Sequence, residues 1–146
     1  MKRGIDYIGV GVGAAIFNDE GKLFITKRGK KAKNERGKWE IPGGGVEFGE
    51  TMEEAIIREM REEHGIEIAV QELLGIYNHI LPEEKQHWVS PSYVCTIVSG
   101  EPKIMEPDKC AQMGWFTIEE AEKLDLSTIT KHDIDHLKKR SPQRSK

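Results

Sequence analysis

Glu59, Glu62 and Glu63 stand at i, i+3 and i+4 within a stretch that reads as a helix over 52–64. Thr51 suits its N-cap, Glu54 completes a capping box, and Gly65 sits where a left-handed C-terminal cap belongs. At ~100° per residue, the three acids fall on or beside the apolar arc set by Met52, Ala55, Ile56 and Met60. Glu53, Glu54, Arg58 and Arg61 fall on the opposite side. Carboxylates near a core are costly without partners, and like charges one turn apart repel. The cluster therefore calls for Arg58, a basic loop or metal ions. Hard oxygen donors in this arrangement suit Mg²⁺ or Mn²⁺, which also accept waters and substrate phosphates. The alternative is a merely solvated acidic face. Two neighbours favour the metal reading: Gly43-Gly44-Gly45 just upstream, and a loop over 27–38 carrying Lys27, Arg28, Lys30, Lys31, Lys33, Arg36 and Lys38.

The remaining elements must bring these groups together. Residues 7–17 alternate small and apolar side chains and read as a first strand; Asn18–Gly21 is a turn, and Leu23–Thr26 a second strand, together suggesting a hairpin. Trp39–Pro42 is a short strand leading into the glycines. Further strands are expected at 66–80, 88–99 and near 114–117. Thr117 and Glu120 form a second capping box, and a last helix is expected from about Thr130 with Asp133 as capping partner. The mixture is an α/β (α+β) domain. A single domain over 1–140 with a frayed basic tail at 141–146 is expected, the basic run beginning at Lys138.

Composition excludes several classes. The chain has 146 residues, 37% hydrophobic and 32% charged, with net charge −3. That suits one folded domain and argues against disorder, collagen-like sequence and a globally basic nucleic-acid binder. No run approaches the ~20 apolar residues of a membrane span. Segment 7–17 behind Lys2 and Arg3 superficially resembles a leader, but Asp6 and the glycines weaken it. Cys95 and Cys110 lack metal-ligand spacing and read as free thiols of a reducing compartment, hence a cytoplasmic protein. His132 and His136 are one turn apart, yet with Asp133 and Asp135 beside them they read as a solvated helix face.

Segment 44–66 has Gly44, Glu50, then Arg58-Glu59-Met60-Arg61-Glu62-Glu63-His64-Gly65-Ile66. It resembles the Nudix box, G-x5-E-x7-R-E-U-x-E-E-x-G-U with U apolar, at every specified position. Lys38–Gly43 and Trp115-Phe116 resemble MutT-type members. The resemblance implies an α/β/α sandwich around a mixed sheet and hydrolysis of a nucleoside diphosphate linked to another group. It implies Glu59, Glu62 and Glu63 as metal ligands, the Gly43 carbonyl as a further ligand, and Glu50 in a structural or outer metal role. Arg58 resembles the arginine that orients a box glutamate, and Arg28 a phosphate-contacting arginine. The expected ion is Mg²⁺, with Mn²⁺ as substitute. Glu59, Glu63 or Glu106, the last outside the box, would take the proton of the attacking water. Trp39 is a further candidate for substrate contact, and His87 with Trp88, at the start of a strand, could stack on a base or simply pack in the sheet.

Within the family, Trp39–Pro42, Glu106–Cys110 and Trp115-Phe116 resemble enzymes that cleave a nucleoside triphosphate to monophosphate and pyrophosphate. Leu126–Thr130 lacks the Asn and Pro of members that read 8-oxoguanine. ADP-ribose hydrolysis is the runner-up, pointed to by Pro82 beyond the box. A Nudix-fold binding module is the non-enzymatic alternative, and the intact box glutamates speak against it. The expected partner is a nucleotide, with neither a nucleic-acid polymer nor a membrane; family habit admits a homodimer.

Overall fold

The computed structural model describes residues 1–32 and 34–144, and side chains as far as Arg140. Strands β1 (Gly9–Ile16), β2 (Leu23–Arg28), β3 (Trp39–Glu40) and β4 (Gly43–Gly45) precede helix α1 (Met52–His64). Strands β5 (Glu67–Leu81) and β6 (Gln86–Ser99) form a long hairpin closed by a 3₁₀ turn at Pro82–Glu84. Strand β7 (Cys110–Phe116) and helices α2 (Ile118–Glu122) and α3 (Thr128–Arg144) complete the order. One sheet has the order β4-β1-β6-β5, and β1 pairs parallel with β6 while the other pairs are antiparallel. The other sheet is antiparallel, β3-β2-β7.

Side-chain alternation builds the layers, because successive strand residues face opposite sides. Ala14, Ile16, Phe24, Tyr93 and Cys95 pack with Ala55, Ile56 and Met60 of α1. Their neighbours Ala15, Leu23, Ile25 and Val94 pack on the other side with Ala121, Ile134 and Leu137 of α2 and α3. The result is the expected α/β/α sandwich. Among the described residues, no helix is long and apolar enough to cross a membrane.

Several expectations change. β1 and β2 do not form a hairpin ladder: a single bridge, Phe17 to Leu23, joins them before they diverge into separate sheets. The glycines at 43–45 form a strand of their own, paired with β1 in register Gly11 to Gly45 and Gly13 to Gly43. Close backbone approach permits it: a Cβ on Gly43 would lie 2.0 Å from the Val12 carbonyl oxygen. Lys27 and Arg28 belong to β2, not to the basic loop, whose Lys33 lies outside the described residues.

Helix α1 has both expected caps: Thr51 and Glu54 exchange side-chain-to-backbone bonds, and Gly65 is left-handed at φ 67°. Its buried stripe is displaced by a turn, however. Met52 is exposed, while His64 is buried, edge-on to Phe24, with Nδ1 2.8 Å from the Lys103 carbonyl.

Helix α3 begins at Thr128, before the expected start, because the Glu35 side chain accepts from the Thr128 N–H and hydroxyl at 3.0 and 2.8 Å. Asp133 is no cap; it is buried and accepts from Ser92 Oγ at 2.9 Å. Lys138 and Arg140, expected in a loose basic run, pair with Glu122 and Glu72, both at 2.6 Å, and the helix continues to Arg144. Of the tail expected to fray at 141–146, residues 145 and 146 lie outside the described residues. His132 and His136 do not form a solvated face: their tilted rings lie 4.4 Å apart, His132 lies 4.5 Å from Tyr77, and both Nδ1 atoms are buried.

Candidate active site

A cleft of about 300 Å³ opens where β4, α1, the 29–38 loop and the start of α3 converge on the mixed sheet. Its glycine wall is Gly43, Gly44 and Gly45, and Glu59 and Glu63 enter from α1. The missing side chain at Gly44 makes room for the acid: a Cβ there would fall 2.1 Å from the Glu59 carboxyl carbon. Helix geometry sets the second acid one turn behind the first. Burial, then the adjacent Glu59 carboxylate, pushes Glu63 up to about 9, with Glu40 adding to the effect and Lys109 opposing it.

Arg58 organises this end of the helix. It lies half-buried instead of pointing to solvent, because the chain of β4 and the following loop fold over it. Its Nε and Nη2 donate to Glu50 at 2.6 and 3.0 Å, and Nη2 also donates to the Gly45 carbonyl at 3.0 Å. Nη1 donates to Glu59 and Glu62, both at 3.2 Å. The hydrogen bonds from Arg58 bring the Glu50 carboxyl down to about 2. Glu50 thus fixes Arg58, which steadies Glu59; Glu50 does not line the cleft. Nor does Glu62, whose side chain is 56% exposed.

Arg28 lines the cleft, donating from Nη1 to Glu40 at 2.7 Å and from Nε to the Asn34 carbonyl at 2.8 Å. Burial raises the Glu40 carboxyl above its usual range, against the pull of Arg28. Trp39 and Glu40 are successive strand residues, so only one can face the cleft. Glu40 does; Trp39 turns away and packs edge-on against Phe116 at 5.7 Å. The same alternation decides His87. Cross-strand pairs His79–Trp88 and Ile80–His87 are adjacent, and His79 and Trp88 line the cleft while His87 does not. Glu106 is also outside; it pairs with Lys109 at 3.5 Å, and it is Lys109 that lines the cleft.

Arg3, Asn34, Glu35, Glu40, His79 and Asp133 line the cleft although the sequence offered none of them as a site residue, Asp133 having been expected only as a helix cap. Strand alternation says that only one of Trp39 and Glu40 can face the cleft, and the sheet decides for Glu40. Glu35 and His79 come from distant elements and meet at 3.2 Å, which no local pattern signals. Although burial alone would raise the Glu35 carboxyl, the His79 ring at 3.2 Å and hydrogen bonds from Thr128 bring it down to about 2.

Two half-buried carboxylates, one turn apart beside a backbone wall, form an oxygen-donor set that fits a hard divalent cation. Among the described residues, no three His, Cys, Asp or Glu side chains converge into a cage. An ion held by Glu59 and Glu63 would therefore draw its remaining ligands from backbone oxygen, water and substrate phosphate, as small hard ions do.

The NUDIX domain profile matches residues 8–137. The chain belongs to the NUDIX family. This Nudix chain is 34% identical over 123 residues to an ADP-ribose pyrophosphatase of Methanocaldococcus jannaschii, covering 84% of the chain and 66% of that protein. It is 33% identical over 91 residues to the CTP pyrophosphohydrolase of Escherichia coli, covering 60% of the chain and 67% of that protein. Its fold superposes on the MutT NUDIX hydrolase of Burkholderia pseudomallei with TM-score 0.80 and 37% identity, covering 90% of this chain and 99% of that one.

Proposed function

We propose that this Nudix chain is a pyrophosphohydrolase that cleaves a nucleoside diphosphate linked to a further group, using Mg²⁺ or Mn²⁺. The observation that carries the proposal is the Glu59–Glu63 pair facing a glycine-walled cleft that also receives Arg3, Arg28, Lys31 and Lys109. A divalent ion bound there would neutralise phosphate oxygens and acidify a bound water. Glu59 and Glu63 would hold it, with the Gly43 carbonyl as a further ligand, and Arg58 would keep Glu59 in place. One of the two cleft glutamates, rather than Glu106, would accept the proton of the attacking water, because Glu106 stands outside the cleft. The cations would bind the phosphates of the polyanionic substrate.

The leading substrate is a nucleoside triphosphate, cleaved to monophosphate and pyrophosphate. The 34% identity to a protein named ADP-ribose pyrophosphatase, over 84% of the chain, favours ADP-ribose as a second reading. Pro82, at the first position of the 3₁₀ turn, lies outside the cleft and adds nothing to it. Chromatography of products from common NTPs, dNTPs, 8-oxo-dGTP and ADP-ribose with Mg²⁺ decides between them. Monophosphate plus pyrophosphate supports the first; AMP plus ribose 5-phosphate from ADP-ribose alone supports the second. Glu59→Gln and Glu63→Gln should each lower turnover at least about 100-fold with the fold intact, as loss of a principal electrostatic group does. Near-normal turnover in both would refute the assigned roles.

A further inference from the structure

We propose that Arg3 binds a phosphoryl oxygen of the substrate, from a rigid turn docked at the glycine rim of the cleft. The inference deepens the pyrophosphohydrolase reading and rests on it. Arg3 Nη1 donates to the Val46 carbonyl at 2.6 Å. The guanidinium packs closely against Gly45 of β4: a Cβ there would come within 2.7 Å of Nη2 and 2.8 Å of Cζ. Arg3 and Arg58 therefore grip consecutive carbonyls, those of Val46 and Gly45, next to Glu59.

What distinguishes Arg3 is its charge balance. Arg28 is matched by Glu40 at 2.7 Å, Lys31 by Asp108 at 3.3 Å and Lys109 by Glu106 at 3.5 Å. Among the described residues, Arg3 has no carboxylate within pairing distance. It is a cleft-lining cation without an ion pair: the Glu50 carboxylate feels its charge but is held by Arg58, which leaves the Arg3 guanidinium available to a polyanion. A guanidinium with one N–H anchored on backbone retains other donors in a fixed plane, the geometry that suits a phosphate.

The turn that carries Arg3 is fixed by packing. The Gly4 N–H donates to the Tyr7 carbonyl at 2.7 Å, and the His87 N–H donates to the Gly4 carbonyl at 2.8 Å, tying the turn to β6. The Trp88 indole fills the space that side chains at Gly4 and Gly9 would need: added Cβ atoms would lie 2.3 and 2.6 Å from its ring. Gly9 also clears the stem of Arg3, since a Cβ there would meet Arg3 Cγ at 2.9 Å. Gly4 is at φ 82°, where a side chain would be strained in any case. The arginine is thus positioned before substrate arrives, which lowers the ordering cost of binding.

The test compares wild type, Arg3→Lys and Arg3→Met, with Mg²⁺ present. Three quantities are read: kcat and KM on the best panel substrate, affinity for inorganic pyrophosphate by calorimetry, and Tm. Arg3→Met should raise KM and the pyrophosphate Kd about tenfold or more, with kcat within about threefold and Tm unchanged, as expected for loss of a charge-assisted contact. Arg3→Lys should recover part of the affinity through its point charge. Wild-type KM and pyrophosphate affinity in Arg3→Met would overturn the proposal and leave Arg3 as a buttress of Val46. So would a loss confined to kcat, or a fall in Tm with affinity unchanged. A wild-type protein that neither turns over the panel nor binds pyrophosphate would instead overturn the pyrophosphohydrolase reading, and Arg3's role with it.

Discussion

At Gly44 a single absent methyl group decides where a carboxylate can stand. The glycine is not needed for its backbone conformation; the strand pairing there is ordinary, and its φ is not left-handed. It is needed because the Glu59 carboxyl occupies the place of its side chain. Gly44→Ala should therefore displace Glu59 while leaving the fold in place. We expect kcat to fall about 100-fold, the scale of a 1 Å misplacement, with little change in Tm. Turnover kinetics with a thermal melt check this; unchanged kcat would show that Glu59 does not need its present position. Arg58 complements that steric fit by holding Glu50, Glu59 and Glu62 at once. Replacing the partners of such a network one at a time leaves charges unmatched, so their effects should not add.

The elements around the cleft are tied together through buried polar groups, and Glu35 carries the longest tie. It joins the 29–38 loop to the first turn of α3 through Thr128 and to β5 through His79. The residue sits at φ 45°, a conformation unfavourable for a side chain other than glycine, and these bonds keep it there. The carboxyl titrates near 2 when folded and near 4.5 when unfolded, so the folded state favours its ionised form. Its contribution is complete at neutral pH and fades as pH falls from about 4.5 towards 2. Glu35→Gln should cost about 1.5–3 kcal/mol at pH 7, the range for hydrogen bonds to a charged group. The gap to wild type should narrow towards pH 2. Urea denaturation of both proteins across that range reads it directly, and a gap independent of pH would assign the loss to geometry instead of charge. Asp133 behaves in the opposite sense: burial pushes its carboxyl up to about 7 despite the Ser92 hydroxyl, so ionising it works against the folded state.

Across the whole molecule the two layers of helix protect the sheets between them. Cys95 and Cys110 are buried on those sheets, and burial pushes their thiols up to about 12 and 11. Thiolate, the reactive species, is therefore scarce in the folded protein. Iodoacetamide at about pH 8 should leave both cysteines unmodified in the native state and label both once urea unfolds the chain. Mass spectrometry of the two samples checks this. Rapid native labelling of Cys110 would mean that β7, which directly follows the cleft-lining Lys109, opens readily. The sandwich also explains how the site can be made from segments far apart in the chain. β4 is held by β1, α1 packs on the β1–β4–β5 side, and the start of α3 docks against β3 through the Trp39–Leu126 bridge.

The sequence by itself determined what is local and periodic. Thr51, Glu54 and Gly65 set the limits of α1, and helical spacing placed Glu59 and Glu63 on one side beside a buried stripe. The box spacing of Gly44, Glu50 and Arg58-Glu59 identified the family, because capping, helix period and close glycine packing all act within a few residues of one another. Only the tertiary structure decided the rest. Trp39 and Glu40 were equally plausible neighbours until the sheet fixed which face was inward. His79 and its cross-strand partner Trp88 face the cleft, while His87, one residue before Trp88 on β6, faces away. Glu62 fell outside the cleft although its neighbour Glu63 fell within. Arg3 reached Gly45 and Glu35 reached His79 across long stretches of chain, through contacts that exist only once the two sheets and three helices are assembled.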